Sequence, residues 1–324
     1  MNKKLRVGVI GAGTIAKAHL DSASGLGNVQ LATIADIIAD KAKILADKYD
    51  MTAYTDYRQM IGKEKLDIVI INLPHFLHRE AAIECSRAGC HVLLEKPMAM
   101  NEFECDDIIK ECEKYQTKLM IGHMIHFSSD NMKAREIVQS GSLGKLLSIT
   151  SIRYANYFTD SRPEWFLHYD TAGGGIVMNL GAHSIDLIQF LTGTRIQSVR
   201  ASVGKYAKGI EVEGNAQIFA MLENNVTASI TLSGYKTVPH FETELVFTGG
   251  MLKLLNNKLF ISKEKVYHEV NLDDQNPFGF QLSEFIQSIE DDKPIPITGE
   301  YGKSVIKAIK AVYASSDKVV EITI

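Results

Sequence analysis

The sequence predicts an α/β chain of two domains. A doubly wound parallel sheet occupies residues 1–122, and residues 123–324 form an α+β domain on an open mixed, largely antiparallel sheet. Three observations predict it. Short apolar runs alternate with helical patterns through the first part of the chain, a rhythm of parallel strands covered on both faces. A glycine turn, Gly11-Ala12-Gly13, separates the first of these runs from a helix start. From Leu146 onward the texture changes to strand candidates separated by hairpin-grade turns. A length of 324 residues suits about two domains and a sizeable core.

Val7, Val9 and Ile10 form the first strand, and Gly11-Ala12-Gly13-Thr14-Ile15-Ala16 fits G-x-G-x-x-G/A. Gly11 suits the tight turn, Gly13 lets backbone approach a pyrophosphate, and Ala16 still permits close packing of helix on strand. The following helix offers unpaired amides and the positive end of its dipole, so an anionic dinucleotide needs no basic side chain. Gln30 to Ala35 is the second strand, and Asp36 follows Gly13 by roughly twenty residues, where a carboxylate binds ribose hydroxyls. This strand-turn-helix-strand context assigns Gly11, Gly13, Thr14, Ile15, Ala16 and Asp36 to a dinucleotide. A carboxylate at the ribose repels a 2'-phosphate, and Ile37 and Ile38 follow it rather than an arginine. NAD is therefore preferred, with NADP the alternative through Lys41 and Lys43.

The pattern continues with a helix over Lys41 to Tyr49, a strand over Ile68 to Asn72, a helix over Arg79 to Ala88 and a strand over Val92 to Glu95. A helix over Glu102 to Tyr115 and a strand over Lys118 to Gly122 complete the first domain. A helix over Ser129 to Gln139, ended by Ser140-Gly141, leads into the second. Its strands are Leu146 to Tyr154, Ile196 to Val203, Glu211 to Leu222, Val226 to Ser233, Phe241 to Thr248 and Lys258 to Ile261. Glu223-Asn224-Asn225, Gly249-Gly250 and Asn256-Asn257 read as turns between antiparallel neighbours. Alternation at Val226, Ala228, Ile230 and Leu232 gives one core face and one facing water or a partner. Helices follow at Gln281 to Glu290 and Tyr301 to Ser316, the last able to pack back on the first domain.

The bulk numbers exclude several classes. A formal charge of -4, from 35 basic and 39 acidic residues, gives no nucleic-acid stripe and no membrane-surface patch. Met1-Asn2-Lys3-Lys4 runs straight into the first strand, leaving no room for a signal peptide, and no apolar run approaches a membrane span. Cys85, Cys90, Cys105 and Cys112 lack metal-binding spacing and read as reduced thiols, so the expectation is a cytoplasmic protein without a metal. Small molecules are the expected partners.

Ligands of open α/β sheets bind beyond the carboxyl ends of the strands. Two such ends carry polar residues: Asn72-Leu73-Pro74 followed by His75 and His78, and Glu95-Lys96-Pro97. Taken alone, a lysine ending a strand is usually the chain surfacing. Pro97 restricts Lys96, and a cis bond there would aim the ammonium, while Glu95 can anchor that ammonium or bind a cofactor hydroxyl. A second constellation runs from Gly173-Gly174-Gly175 through Asn179 and His183 to Asp186. The glycines allow close backbone approach at a helix start, and Gly193 is a natural stop. Val177, Leu180, Ser184, Leu187, Ile188 and Leu191 share one side, and Asn179, His183 and Asp186 form a separate polar stripe.

Taken together, Gly11 to Ala16, Asp36, Pro74 with His78, Glu95-Lys96-Pro97, Ser140-Gly141-Ser142-Leu143-Gly144 and Gly173 to Asp186 resemble the glucose-fructose oxidoreductase, inositol dehydrogenase and MocA (Gfo/Idh/MocA) family over nearly the whole chain. The resemblance implies a Rossmann domain with an open mixed sheet that forms the interface of a homodimer or homotetramer. Cofactor contacts are assigned as well to Asn72, Pro74, His78, Glu95 and Lys96 at the two strand ends. The residues matching Lys96 and His183 lie at the substrate alcohol in that family, whose members oxidise a sugar or polyol hydroxyl with NAD or NADP.

Two departures bear on the substrate. The family usually has aspartate where this chain has Asn179, which supplies hydrogen bonds but no charge. Near Gly122, where many members carry an aromatic and then arginines, this chain has His123, Met124, Ile125 and His126. Substrate contacts are assigned to Lys96, His123, Asn179 and His183, and to Tyr157 and Trp165 in the loop before the glycines, for which core packing is the equal alternative. The expected reaction is hydride transfer between nicotinamide and a secondary alcohol or ketone of a sugar, inositol or related polyol. His183 is the base, Lys96 stabilises alkoxide charge, and Asn179 orients one of them or the substrate. The alternatives are a catalytically silent dinucleotide-binding sensor, and an enzyme using bound NAD for an internal redox step in glycoside cleavage or sugar-to-sugar transfer.

Overall fold

The computed structural model describes residues 4–273 and 275–324. Residues 1–3, read above as leading into the first strand, and residue 274 lie outside the described residues. The chain divides into two compact units, Met1–Met124 with Asn276–Lys303, and Ile125–Gln275 with Ser304–Ile324.

The first unit runs β1 (Leu5–Ile10), α1 (Thr14–Ala23), β2 (Val29–Ala35), α2 (Ala39–Tyr49), β3 (Thr52–Tyr54), α3 (Tyr57–Lys63), β4 (Ile68–Ile71), α4 (His78–Arg87), β5 (His91–Glu95), α5 (Glu102–Lys114) and β6 (Leu119–Gly122). Its strands are parallel in the order β3-β2-β1-β4-β5-β6. All four residues of β4 are fully buried, as strands covered on both faces require. The strand order reverses between β1 and β4, where Ile10 pairs with Ile71, so the crevice for a ligand opens beyond these two ends. The sequence reading has neither β3 nor α3. Thr52-Ala53-Tyr54 has no apolar run to mark it, and α3 is only seven residues long.

The second unit contains α6 (Ser129–Ser140), β7 (Leu146–Tyr154), α7 (Tyr169–Ala172), α8 (Ala182–Thr192), β8 (Ile196–Gly204), β9 (Asn215–Leu222), β10 (Thr227–Ser233), β11 (His240–Phe247), β12 (Gly250–Leu255), β13 (Lys258–Lys263) and β14 (Val266–Glu269). Then come α9 (Pro277–Glu290), α10 (Gly299–Lys318) and β15 (Ile322–Thr323). The sheet order is β14-β13-β12-β11-β7-β10-β9-β8-β15, antiparallel except for β10 with β7. Asn225, Asn256 and Asn257 take positive φ at the predicted turns. Ile149, Ala228 and Ala220 line up across three strands on the buried face, against Thr150, Ser229 and Phe219 on the other. On the buried face Ser151 Oγ donates to Ser184 Oγ of α8 at 3.1 Å and accepts from Thr243 at 3.2 Å, tying α8 to the sheet.

Residues 276–303, which the sequence reading counts in the second domain, cluster with the first unit. The cause lies at the start of α9. Asn276 accepts the amides of Phe278 and Gly279 and donates to Ser22 of α1 at 3.0 Å, while the Phe278 ring meets His19 edge-on. With Pro277 at its first position, α9 begins a turn earlier than its apolar pattern indicates.

Candidate active site

In the first unit, Gly11 has φ +92, and a Cβ there would lie 2.5 Å from the Asn72 carbonyl oxygen. Only glycine closes this turn against the end of β4. A Cβ at Gly13 would meet nothing within 4 Å. Gly13 caps α1 without a side chain and no acid stands in the first turn, so the positive end of the dipole is left for an anion. Thr14 and Ile15 are exposed beside it, whereas Ala16 is fully buried in the packing role. The Asp36 carboxylate accepts the Ala12 amide at 2.8 Å and the Ile38 amide at 2.8 Å, which stitches the end of β2 to the glycine turn. Asn72, at the end of β4, has both side-chain polar atoms buried without a hydrogen-bond partner among the described residues. Such orphaned groups call for an occupant. A free helix start, open space at Gly13, an anchored carboxylate and an unsatisfied amide together fit a dinucleotide.

At the end of β5, Glu95 Oε1 lies 3.0 Å from His19 Nε2 of α1, and Oε2 accepts the Lys96 backbone amide at 3.0 Å. Burial pushes the Glu95 carboxyl up, but the His19 hydrogen bond and the charges of His19 and Lys96 outweigh it and hold it below the usual range. Glu95 thus stays ionised and binds the helix that carries the glycine turn to the backbone of Lys96. The Lys96–Pro97 peptide is cis. Pro74 opens a short 3-10 turn, His75–Leu77, that leads into α4. His78, assigned above to the cofactor, is fully buried, its Nδ1 2.9 Å from the Pro97 carbonyl and its Nε2 2.8 Å from the Leu73 carbonyl. The ring thus lies between the carbonyls of the loops after β4 and β5, and its one N–H donates to one of them, an arrangement that braces those loops. Burial lowers its pKa against those two carbonyls and the Glu95 charge.

In the second unit the glycine run serves a purpose the sequence reading did not foresee. Gly173 ends α7 with φ +74. Gly174 has φ +151, and a Cβ there would lie 1.9 Å from the Tyr313 hydroxyl, while one at Gly175 would lie 2.1 Å from the Glu213 carbonyl oxygen. The close approach these glycines allow is to the protein itself. Glu213, only 1% exposed, accepts the Gly175 amide through Oε2 at 2.8 Å, the Val177 amide through Oε1 at 2.9 Å and the Tyr313 hydroxyl through Oε1 at 2.8 Å. A single turn of π-helix, Val177–Gly181, follows and carries Asn179, then runs into α8 with His183 in its first turn. Gly193 stops α8 with φ +70, as expected.

Asn179 and His183 are partly exposed, but Asp186 leaves the predicted polar stripe. It is fully buried, with Oδ1 2.6 Å from Nε2 of His126, whose ring stacks on Phe190 at 4.0 Å. Tyr157, for which substrate contact and core packing are the two readings, is fully buried. The Arg162 guanidinium covers its ring at 3.9 Å, and its hydroxyl faces Asn179. Burial pushes this phenol up to about 12. Trp165 stacks on Phe166 at 3.6 Å in the same loop and is half-buried. His123 is 1% exposed and sits edge-on to Tyr301.

Sequence reasoning missed Glu213 because it falls inside the predicted strand Glu211 to Leu222. The strand begins only at Asn215, since Glu213 turns its carboxylate and its own carbonyl to the glycine run. An acid followed by glycine at a strand start, Glu213-Gly214, was the available signal. It also missed His126 as the partner of Asp186, though both residues were in view.

These two units define a class: a dinucleotide-binding oxidoreductase fold with a separate mixed-sheet domain. Residues 5–123 match the family model for the Gfo/Idh/MocA oxidoreductases with an NAD-binding Rossmann fold, and residues 131–253 match the Gfo/Idh/MocA C-terminal domain. The chain belongs to the Gfo/Idh/MocA family. It is 29% identical over 234 residues to a 1-carboxy-3-chloro-3,4-dihydroxycyclohexa-1,5-diene dehydrogenase of Comamonas testosteroni, a match covering 71% of this chain and 58% of that one. It is 30% identical over 200 residues to a myo-inositol 2-dehydrogenase of Thermotoga maritima, covering 61% of this chain and 58% of the relative. The chain therefore spans under two thirds of the length of these curated relatives. The aldose-aldose oxidoreductase of Caulobacter crescentus, crystallised with glycerol, superposes with a TM-score of 0.92 at 22% identity over 99% of this chain and all of that one, a likeness of fold.

Among the described residues no helix is long and apolar enough to cross a membrane. All four cysteines are buried and unpaired with one another, and burial pushes the Cys90 thiol up to about 11.

Proposed function

We propose that the protein is an NAD-dependent dehydrogenase acting on a secondary alcohol or ketone of a sugar, inositol or related polyol. The observation that carries this reading is the Asp36-anchored glycine turn with open space at Gly13, joined through His19 and Glu95 to the backbone of Lys96. Gly11, Gly13, Thr14, Ile15, Asp36 and Asn72 would hold the dinucleotide, with Ala16 packed beneath the turn. Bound there, it supplies the hydride acceptor for oxidation and the donor for reduction. The chain's own residues handle the proton and the charge. His183 takes the hydroxyl proton, Lys96 stabilises developing negative charge on the substrate oxygen, and Asn179, facing Tyr157, orients the substrate. NAD is preferred over NADP because the Asp36 carboxylate repels a 2'-phosphate and Ile37, 90% exposed, stands where an arginine would bind one. The relatives named above act as dehydrogenases by their names, which supports the same reaction type.

We further propose that the open face of the second sheet, where Phe219 is 52% exposed, is covered by a second copy of this chain in a homodimer or homotetramer, and that the protein works in the cytoplasm. One observation favours a second reading. The family resemblance implies an aspartate where this chain has Asn179, and this suits a dinucleotide-binding sensor, or an enzyme whose NAD is reduced and reoxidised within one cycle. A screen of sugars, inositols and their keto forms with NAD and NADP decides among them. NADH formation with one polyol class supports the dehydrogenase. Silence across the panel supports the sensor. Tightly retained cofactor with sugar turnover but no net NADH supports the internal redox cycle.

A further inference from the structure

We infer that Glu213 is a positioning residue for this reaction, and that its buried carboxylate sets the pose in which the π-turn presents Asn179 and His183. The inference rests on the roles proposed above for those two residues. A helix start leaves its first amides without intrahelical partners, and they are ordinarily met by a neighbouring Ser, Thr, Asn or Asp or by water. Here one distant side chain takes them. Glu213 accepts Gly175 N–H and Val177 N–H through its carboxylate, and Ile176 N–H through its own carbonyl at 3.0 Å. The Tyr313 hydroxyl, bonded to the same carboxylate, faces the Met178 amide. The next amide, that of Asn179, makes the first intrahelical bond, to Gly175 O at 3.1 Å. Every backbone donor from 175 to 178 is thus referred to Glu213 or to the hydroxyl it holds.

A buried carboxylate costs free energy that a serine cap would not, so simple helix initiation does not account for it. What this carboxylate adds is rigidity of direction. Its two oxygens grip amides two residues apart, just before a π-turn, a local geometry that recurs at functional sites. Gly174 has no room for a Cβ because Tyr313 fills that space, and Gly175 has none because the Glu213 backbone lies against it.

The test uses the full chain with Glu213→Gln and Tyr313→Phe. The first substitution turns a side-chain NH₂ toward a backbone N–H, so one of the two amides loses its acceptor. Glu213→Gln is expected to lower kcat about 10–100-fold on the responding polyol, with KM and NADH affinity within about twofold of wild type. Tyr313→Phe, which removes one bond to the carboxylate, is expected to cost about threefold to tenfold in kcat. In both, the His183 imidazole signal in a nitrogen-edited NMR spectrum, assigned with His183→Ala, should move and its titration should shift. If Glu213→Gln does not fold, Tyr313→Phe carries the test. Wild-type kcat together with an unmoved His183 signal overturns the inference. If the wild-type protein turns over no polyol, the dehydrogenase reading fails, and the His183 signal alone then decides the positioning role.

Discussion

The molecule contains two glycine clusters, and they use the same residue in opposite ways. At Gly11-Ala12-Gly13 one glycine closes a turn against Asn72 and the other faces empty space. At Gly174 and Gly175 the space a Cβ would need is already filled by Tyr313 and by the Glu213 backbone. Glycine in the first cluster makes room for a ligand, and in the second it makes room for the Tyr313 side chain and the Glu213 backbone. A glycine run beside catalytic residue types is therefore weak evidence of ligand contact until its neighbours are known.

The comparison extends to the side chains each cluster serves, Lys96 in the first unit and His183 in the second. The largest effect is expected from removing either. Lys96→Ala and His183→Ala should each reduce turnover about 10³-fold, with NADH affinity measured by fluorescence titration close to wild type. A parallel loss of NADH affinity in both variants, without a specific defect in turnover, would remove these residues from the chemistry.

The two clusters themselves can be set against each other by one methyl group. Gly174→Ala places a Cβ on the Tyr313 hydroxyl at φ +151 and should destabilise the protein by about 2–4 kcal/mol in denaturant unfolding. Gly13→Ala meets no atom of the protein at an extended φ of -78, and should change stability by less than about 1 kcal/mol while weakening NADH binding about tenfold or more. Equal stability losses in the two variants would break the distinction.

The same contrast explains what could be read from the sequence. The first unit was legible almost element by element because buried parallel strands such as Ile68–Ile71 are continuous apolar runs, and because Asp36 lies at a fixed chain distance from its glycines. What was not legible there depended on burial. His78 has the residue type of a ligand contact, but its buried ring lies between two backbone carbonyls, and no local pattern reports that. In the second unit, helix and strand positions were largely legible, including Leu146–Tyr154, yet the strand β12 went unassigned between its two turns. The partners Glu213 with Gly175 and His126 with Asp186 are separated by 38 and 60 residues, beyond the reach of periodicity. The clustering of residues 276–303 with the first unit was not legible either, because Asn276 and Phe278 find Ser22 and His19 over a separation that only folding reveals.

Cofactor choice gives a smaller effect on the first cluster alone. Asp36→Ala removes the carboxylate that holds the Ala12 and Ile38 amides and that, in the proposed reading, repels a 2'-phosphate. The ratio of NAD to NADP affinity should fall about tenfold, mostly through weaker NAD binding. An unchanged ratio would mean that Asp36 supports the turn without selecting the cofactor.

The smallest effect concerns the brace beneath that cluster. Burial holds the folded-state pKa of His78 below its ordinary value, so unfolding at mildly acid pH takes up a proton. A group with a depressed pKa contributes its full stability above the unfolded value, about 6.5 for histidine, and loses it as pH falls through the folded value. The melting temperature of the wild-type protein should therefore decline between about pH 7.5 and pH 5.5, with His91, also lowered by burial, adding to the slope. His78→Gln keeps one donor for the two carbonyls, costs about 1 kcal/mol near neutral pH, and should flatten that decline. Glu95, whose carboxyl is likewise depressed, loses its contribution only at lower pH, below the ordinary carboxylate value, so the two groups separate in one titration. A slope that survives His78→Gln intact would assign the acid sensitivity to another group and leave the Leu73–Pro97 brace without an electrostatic role.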